Sequence, residues 1–195
     1  MSRDIRHPHG VGDAALHALF DLHAETDARF AATTAAIGTP IGCRPGCAAC
    51  CQDDLRVWQV EADAIEQWAQ TEQAAGRLLL RVHARGACAF LDDDGRCQVF
   101  AARPYVCRSQ GAVLAWSEDD EQGLQIERRA TCEVHLQGVD LMTLPAQATF
   151  ELGPAESRLV SIAVERLSLS GGKGLPKRVA LRALATRLSL ATGGR

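Results

Sequence analysis

The chain has 195 residues, 47% apolar and 23% charged, with 24 acidic against 21 basic residues and a formal charge of −3. This balance excludes a disordered or fibrous chain and a uniformly basic nucleic-acid coat, and the length excludes a multidomain machine. Aromatic residues are only 5%, so Ala, Leu and Val must fill most of the core, and eight cysteines stand out.

Residues 1–10 show no apolar signal region, and no apolar run approaches the length of a bilayer span. The expectation is a cytoplasmic protein with no membrane span, whose thiols are kept reduced. Clustered cysteines then point to metal or to chemistry before disulfides. Oxidised, eight cysteines would allow 105 pairings.

Residues 13 to about 37 are Ala-rich and lack Pro and Gly, with Leu16, Leu19, Phe20, His23, Phe30 and Ile37 near helical spacing. They predict an amphipathic helix that Gly38-Thr39-Pro40 ends. A loop of four cysteines follows at 43–51, with a tight turn expected at Pro45-Gly46. A second helical pattern covers 61 to 85 through Ala64, Ile65, Trp68, Ala75, Leu78, Leu79 and Val82, with Gly76 as its potential interruption.

Short runs at 87–91 and 96–100 flank Asp92-Asp93-Asp94-Gly95, a hairpin signal because Gly accepts positive φ. A second hairpin is expected from 112–116 and 124–127, joined by the acidic loop 117–123. Residues 154–169 read as a helix with Pro at its start. After Gly171-Gly172, a basic helix runs from 177 to about 190. The fold class expected is α+β, helices packed around short β-hairpins with a cysteine-rich metal-binding centre. Its organisation is an N-terminal helical segment (1–39), a cysteine-cluster core (40–145) and C-terminal helices with a basic tail (146–195), one compact domain overall.

The cysteine spacing is Cys43-x3-Cys47-x2-Cys50-Cys51, Cys88-x8-Cys97-x9-Cys107, then Cys132. Zinc and ferrous ions favour thiolates, and residues two to four apart in a Gly/Pro loop can share one ion. Neighbours such as Cys50 and Cys51 usually point apart, so they are expected in different ligand sets, or one stays free. The first hairpin would bring Cys88 and Cys97 together. Cys132 reads equally well as a buried structural thiol.

The runs 43–51, 88–100 and Arg103-Pro104-Tyr105-Val106-Cys107-Arg108 together resemble the YkgJ-type cysteine-cluster family over roughly residues 40–135. That resemblance implies a zinc- or iron-chelating domain with Cys43, Cys47, Cys50, Cys51, Cys88, Cys97, Cys107 and Cys132 as metal ligands. The first gap here is three residues where the family pattern has two. The resemblance also gives Arg108 a role, as a donor of hydrogen bonds to a ligand sulfur. It carries no reaction.

The expected function is therefore a protein holding one or two zinc or iron ions through clustered thiolates, in a structural, carrier or sensor role. The alternative is an iron–sulfur or iron-dependent modifying enzyme with a 4Fe-4S cluster on the same cysteines, as in the similar cluster of flagellin lysine N-methylases. A radical-SAM reading of Cys43-x3-Cys47-x2-Cys50 fails because no run of alternating strands and helices follows.

His135 forms a Cys-x2-His pair with Cys132, though an ordinary half-buried imidazole is the simpler reading. His17 and His23 on the first helix, with Asp13 and Asp21, are explained by helix pairing without metal. Asp92–Asp94 lacks the alternating spacing of a calcium loop. No phosphate loop, nucleophile elbow or zincin motif occurs. Residues 171–195 hold six basic residues and no acid. They are a candidate surface for a protein partner without specificity for nucleic acid, set against the simpler reading of a helix packed on its own acidic domain.

Overall fold

The computed structural model describes residues 14–38, 44 and 46–191. The first helix, α1 (Ala14–Ile37), lies where its apolar spacing predicts it and buries Ala15, Leu19 and Leu22. A three-residue strand, β1 (Arg56–Trp58), leads directly into α2 (Gln59–Ala74). The short α3 (Tyr105–Ser109) precedes the strands β2 (Leu114–Asp119) and β3 (Gln125–Ala130), and β4 (Phe150–Glu151) leads into α4 (Gly153–Leu169). The chain closes with β5 (Arg178–Ala180) and α5 (Leu181–Leu190). The class is α+β.

Two small sheets tie distant parts of the chain together. β1 pairs antiparallel with β5, Val57 opposite Val179. β2 and β3 form an antiparallel hairpin, and β4 lies parallel to β2 on its other side, Leu114 opposite Phe150. No helix among the described residues is long and apolar enough to cross a membrane.

The second helix departs from its sequence pattern. It ends at Ala74, and Gly76 takes φ +69° just past it, a backbone that costs glycine little and any other residue more. Residues 78–84 are not helical but form an extended strap. Leu80 of the strap is buried while Leu79 is 67% exposed. The hairpin expected at 87–100 shrinks to a single bridge, Leu91 opposite Cys97, because the Asp92 carboxylate accepts from the N–H groups of Asp94 and Arg96 and holds a tight turn in place of a ladder. The second hairpin is longer than expected, its strands running out to Asp119 and in from Gln125. The basic tail starts as a strand, with only 181–190 helical.

The core has two parts that share α2. Val60 and Ala64 pack with Leu19, Leu22, Tyr105, Phe150, Leu159 and Ile162. Ala62, Ile65 and Ala69, on another side of the same helix, pack with Leu181, Leu184, Leu188, Phe90 and Val99. The second cluster also contains Cys88, with Cys51 and Cys97 half-buried against it. One wall of the cysteine region is thus a helix-backed apolar layer.

Candidate metal centre

The loop carrying Cys47, Cys50 and Cys51 folds back on itself in two turns, with Cys47 N–H donating to Arg44 C=O and Cys51 N–H to Ala48 C=O, each at 2.9 Å. It then rests on the Asp92–Gly95 turn. Gly46 and Gly95 both have positive φ, and a Cβ on Gly95 would sit 3.0 Å from Gly46 O. Only glycines permit that approach. A further link, Cys88 N–H to Cys51 C=O at 2.9 Å, fastens the start of the 88–97 segment to the loop.

An arginine from the far end of the chain locks the same junction. Arg182 on α5 donates through Nε to Asp53 at 2.6 Å and through its other nitrogens to the carbonyls of His83, Ala84 and Ala87. Asp53 also accepts from Gly86 N–H. These bonds, the Arg182 guanidinium foremost, hold the Asp53 carboxyl at about 2. The clasp lies two residues after Cys51 and one to five before Cys88.

Cys107 arrives on α3, whose position is set by Glu61. This buried carboxylate accepts from Trp58 N–H at 2.9 Å, completing the start of α2, and from Tyr105 N–H at 2.9 Å, at the start of α3. Burial pushes its pKa up against the pull of those two donors.

The thiols of Cys50, Cys51, Cys88, Cys97 and Cys107 feel one another. The adjoining Cys51 thiol lowers Cys50 to about 6, while Cys50 and burial together drive Cys51 up. Cys88 is raised, chiefly by burial. Burial also pushes Cys97 up to about 11, with Cys88 adding to the shift. Cys107 rises through burial and through the charges of Cys97, Cys88 and Cys50. The seven described cysteines are all free thiols.

Several expectations are revised by this arrangement. Cys50 and Cys51 perturb each other's titration. Arg108 is buried, and its guanidinium donates to Asp27 at 2.5 Å and to the carbonyls of Arg103 and Ala101. It braces the α1–α3 junction, where the resemblance had it donating to sulfur. Cys132 is half-buried on a turn beyond β3, and His135 N–H donates to its carbonyl at 2.8 Å. Burial lowers the His135 pKa. Cys43, Pro45, Asp13, His7 and His9 lie outside the described residues. Glu61, Asp53 and Arg182 were not singled out from the sequence. A Glu three residues past the N-cap of α2 is half of a capping-box signal for the first, whereas nothing local marks the other two.

Three of the six basic residues of the tail are engaged within the chain. Arg182 holds the clasp, Arg187 pairs with Glu66 at 2.8 Å, and Arg178 lies over the Trp58 ring at 4.3 Å. Leu181, Leu184 and Leu188 are buried beneath them, as the packing reading expects.

Among the described residues, no three Cys, His, Asp or Glu side chains already stand in a geometry that would hold an ion. The donor set nevertheless suits one. Soft sulfur donors from three stretches of chain lie near enough for their charges to act on one another, and their mutual repulsion as thiolates is what a divalent cation relieves. No curated protein and no solved structure matches the chain. A family model does match residues 42–133, under the description "CxxCxxCC: Putative zinc- or iron-chelating domain". That span contains all eight cysteines, the Asp53 end of the clasp and Glu61. Residues 42–133, just under half of the chain, are thus similar to the CxxCxxCC zinc- or iron-chelating family, matching the resemblance to the YkgJ-type cysteine cluster.

Proposed function

We propose that Cys50, Cys51, Cys88, Cys97 and Cys107, joined by Cys47 and Cys43 from the same loop, hold one or two zinc or iron ions as thiolates, and that the metal staples the loop, the 88–97 segment and α3 into one unit. The observation that carries this reading is the seating of the 46–51 loop on the 88–97 segment, with Cys107 close enough for its thiol to respond to both. A bound divalent ion supplies charge that keeps several adjacent thiolates ionised. The chain supplies everything else. Gly46 and Gly95 set the approach, Arg182 and Asp53 fix the spacing between Cys51 and Cys88, and Glu61 orients the helix bearing Cys107.

Loading requires the raised thiols to lose their protons, so uptake releases protons and weakens as pH falls. Because the ligand-bearing segments also line the core, site and fold are linked. Elemental analysis of anaerobically purified chain is expected to find zinc or iron in stoichiometric amount, and chelation is expected to lower the melting temperature. A metal-free chain that melts identically with and without added zinc contradicts the proposal.

A further inference from the structure

One buried donor outside the thiol cluster is left without a partner. Beyond β3 the chain turns so that His135 N–H meets Cys132 C=O at 2.8 Å. His135 is 3% exposed, and its Nε2 has no hydrogen-bond partner. Thr131 Oγ1, the residue before Cys132, is a second buried polar atom in the same state. A buried ring nitrogen in that position carries its desolvation penalty uncompensated. Three residues before it on the same turn is Cys132, a half-buried free thiol. Cys and His three residues apart on a tight turn is a ligand spacing, and thiolate with imidazole is a donor pair that both zinc and iron accept.

We infer that the 132–135 turn supplies a mixed sulfur–nitrogen ligand pair, Cys132 Sγ and His135 Nε2, to a zinc or iron ion. The inference rests on the chain binding such ions and adds a nitrogen donor two residues beyond the end of the family match. Two donors fill half of a four-coordinate shell. Among the described residues no third Cys, His, Asp or Glu stands with them, so the other positions are taken by water or by side chains that move on binding.

The test is X-ray absorption on the zinc-loaded full chain. The expected spectrum has a nitrogen shell at ~2.0–2.1 Å beside sulfur at ~2.3 Å. His135→Gln is expected to remove the nitrogen and weaken zinc binding at least about tenfold, while His17→Gln on the exposed side of α1 changes neither. A sulfur-only shell, or nitrogen that survives His135→Gln, overturns the inference and leaves the cysteine cluster standing. A chain that takes up no zinc overturns both. If His135→Gln does not fold, nitrogen NMR of the wild-type chain decides: the His135 Nε2 resonance must shift on zinc addition, and an unmoved resonance refutes the assignment.

Discussion

Asp53 and Glu61 are two acids with opposite consequences for pH, although both anchor cysteine-bearing segments. Asp53 titrates at about 2 in the folded chain against about 3.9 unfolded. Its contribution to stability is present above pH ~4 and is lost as pH falls through 2. Asp53→Asn is therefore expected to lower the urea midpoint at neutral pH and to flatten its decline between pH 4 and 2. Glu61 is raised by burial, so the folded chain holds that proton more tightly than the unfolded one. Its contribution grows as pH falls through its folded pKa toward ~4.3. Glu61→Gln sets an amide donor against one of two buried N–H groups and is expected to cost about 1–3 kcal/mol at neutral pH, with the Glu61 part of the pH slope gone. An unchanged urea midpoint would deny Glu61 its anchoring role. At this scale the cysteines are legible from spacing alone. Arg182 and Asp53, 129 residues apart, are not, because neither position carries a local pattern that names its partner.

Among the elements, the long helices follow from periodicity because each buries one continuous stripe. Ala15, Leu19 and Leu22 do this for α1, and Leu159, Ile162 and Ala163 for α4. The strap after Gly76 misleads, since Leu78, Leu79 and Val82 keep a helical spacing while the positive φ at 76 has already ended the helix. The β1–β5 pair is illegible for another reason. Three residues are too few for a strand signal, and the partner lies at the other end of the chain. The junction between loop and turn is the element that places the site, and glycine makes it testable. Gly95→Ala and Gly123→Ala impose a similar positive-φ penalty of about 1 kcal/mol. Only at Gly95 does the new Cβ meet backbone, at 3.0 Å, and Gly123 faces open space. Gly95→Ala is expected to weaken zinc affinity and to destabilise the chain more than Gly123→Ala, which should leave zinc affinity unchanged in calorimetric titration. Equal effects of the two would detach the loop–turn contact from metal binding.

Over the whole molecule, the α+β class and the cysteine-rich centre were legible, and the way the flanks serve that centre was not. α5 lies more than forty residues beyond the family match, yet it supplies the guanidinium that sets the spacing between Cys51 and Cys88. α2 backs both core clusters and carries Glu61 at its start. The proposed metal site thus draws on the folded chain and not on its central segment alone. The most direct test is alkylation of the reduced chain before and after saturation with zinc, with each thiol mapped by mass spectrometry. Zinc is expected to protect Cys50, Cys51, Cys88, Cys97 and Cys107 together. Protection confined to the 43–51 loop, or no protection at all, would contradict convergence of the three segments on a shared metal centre.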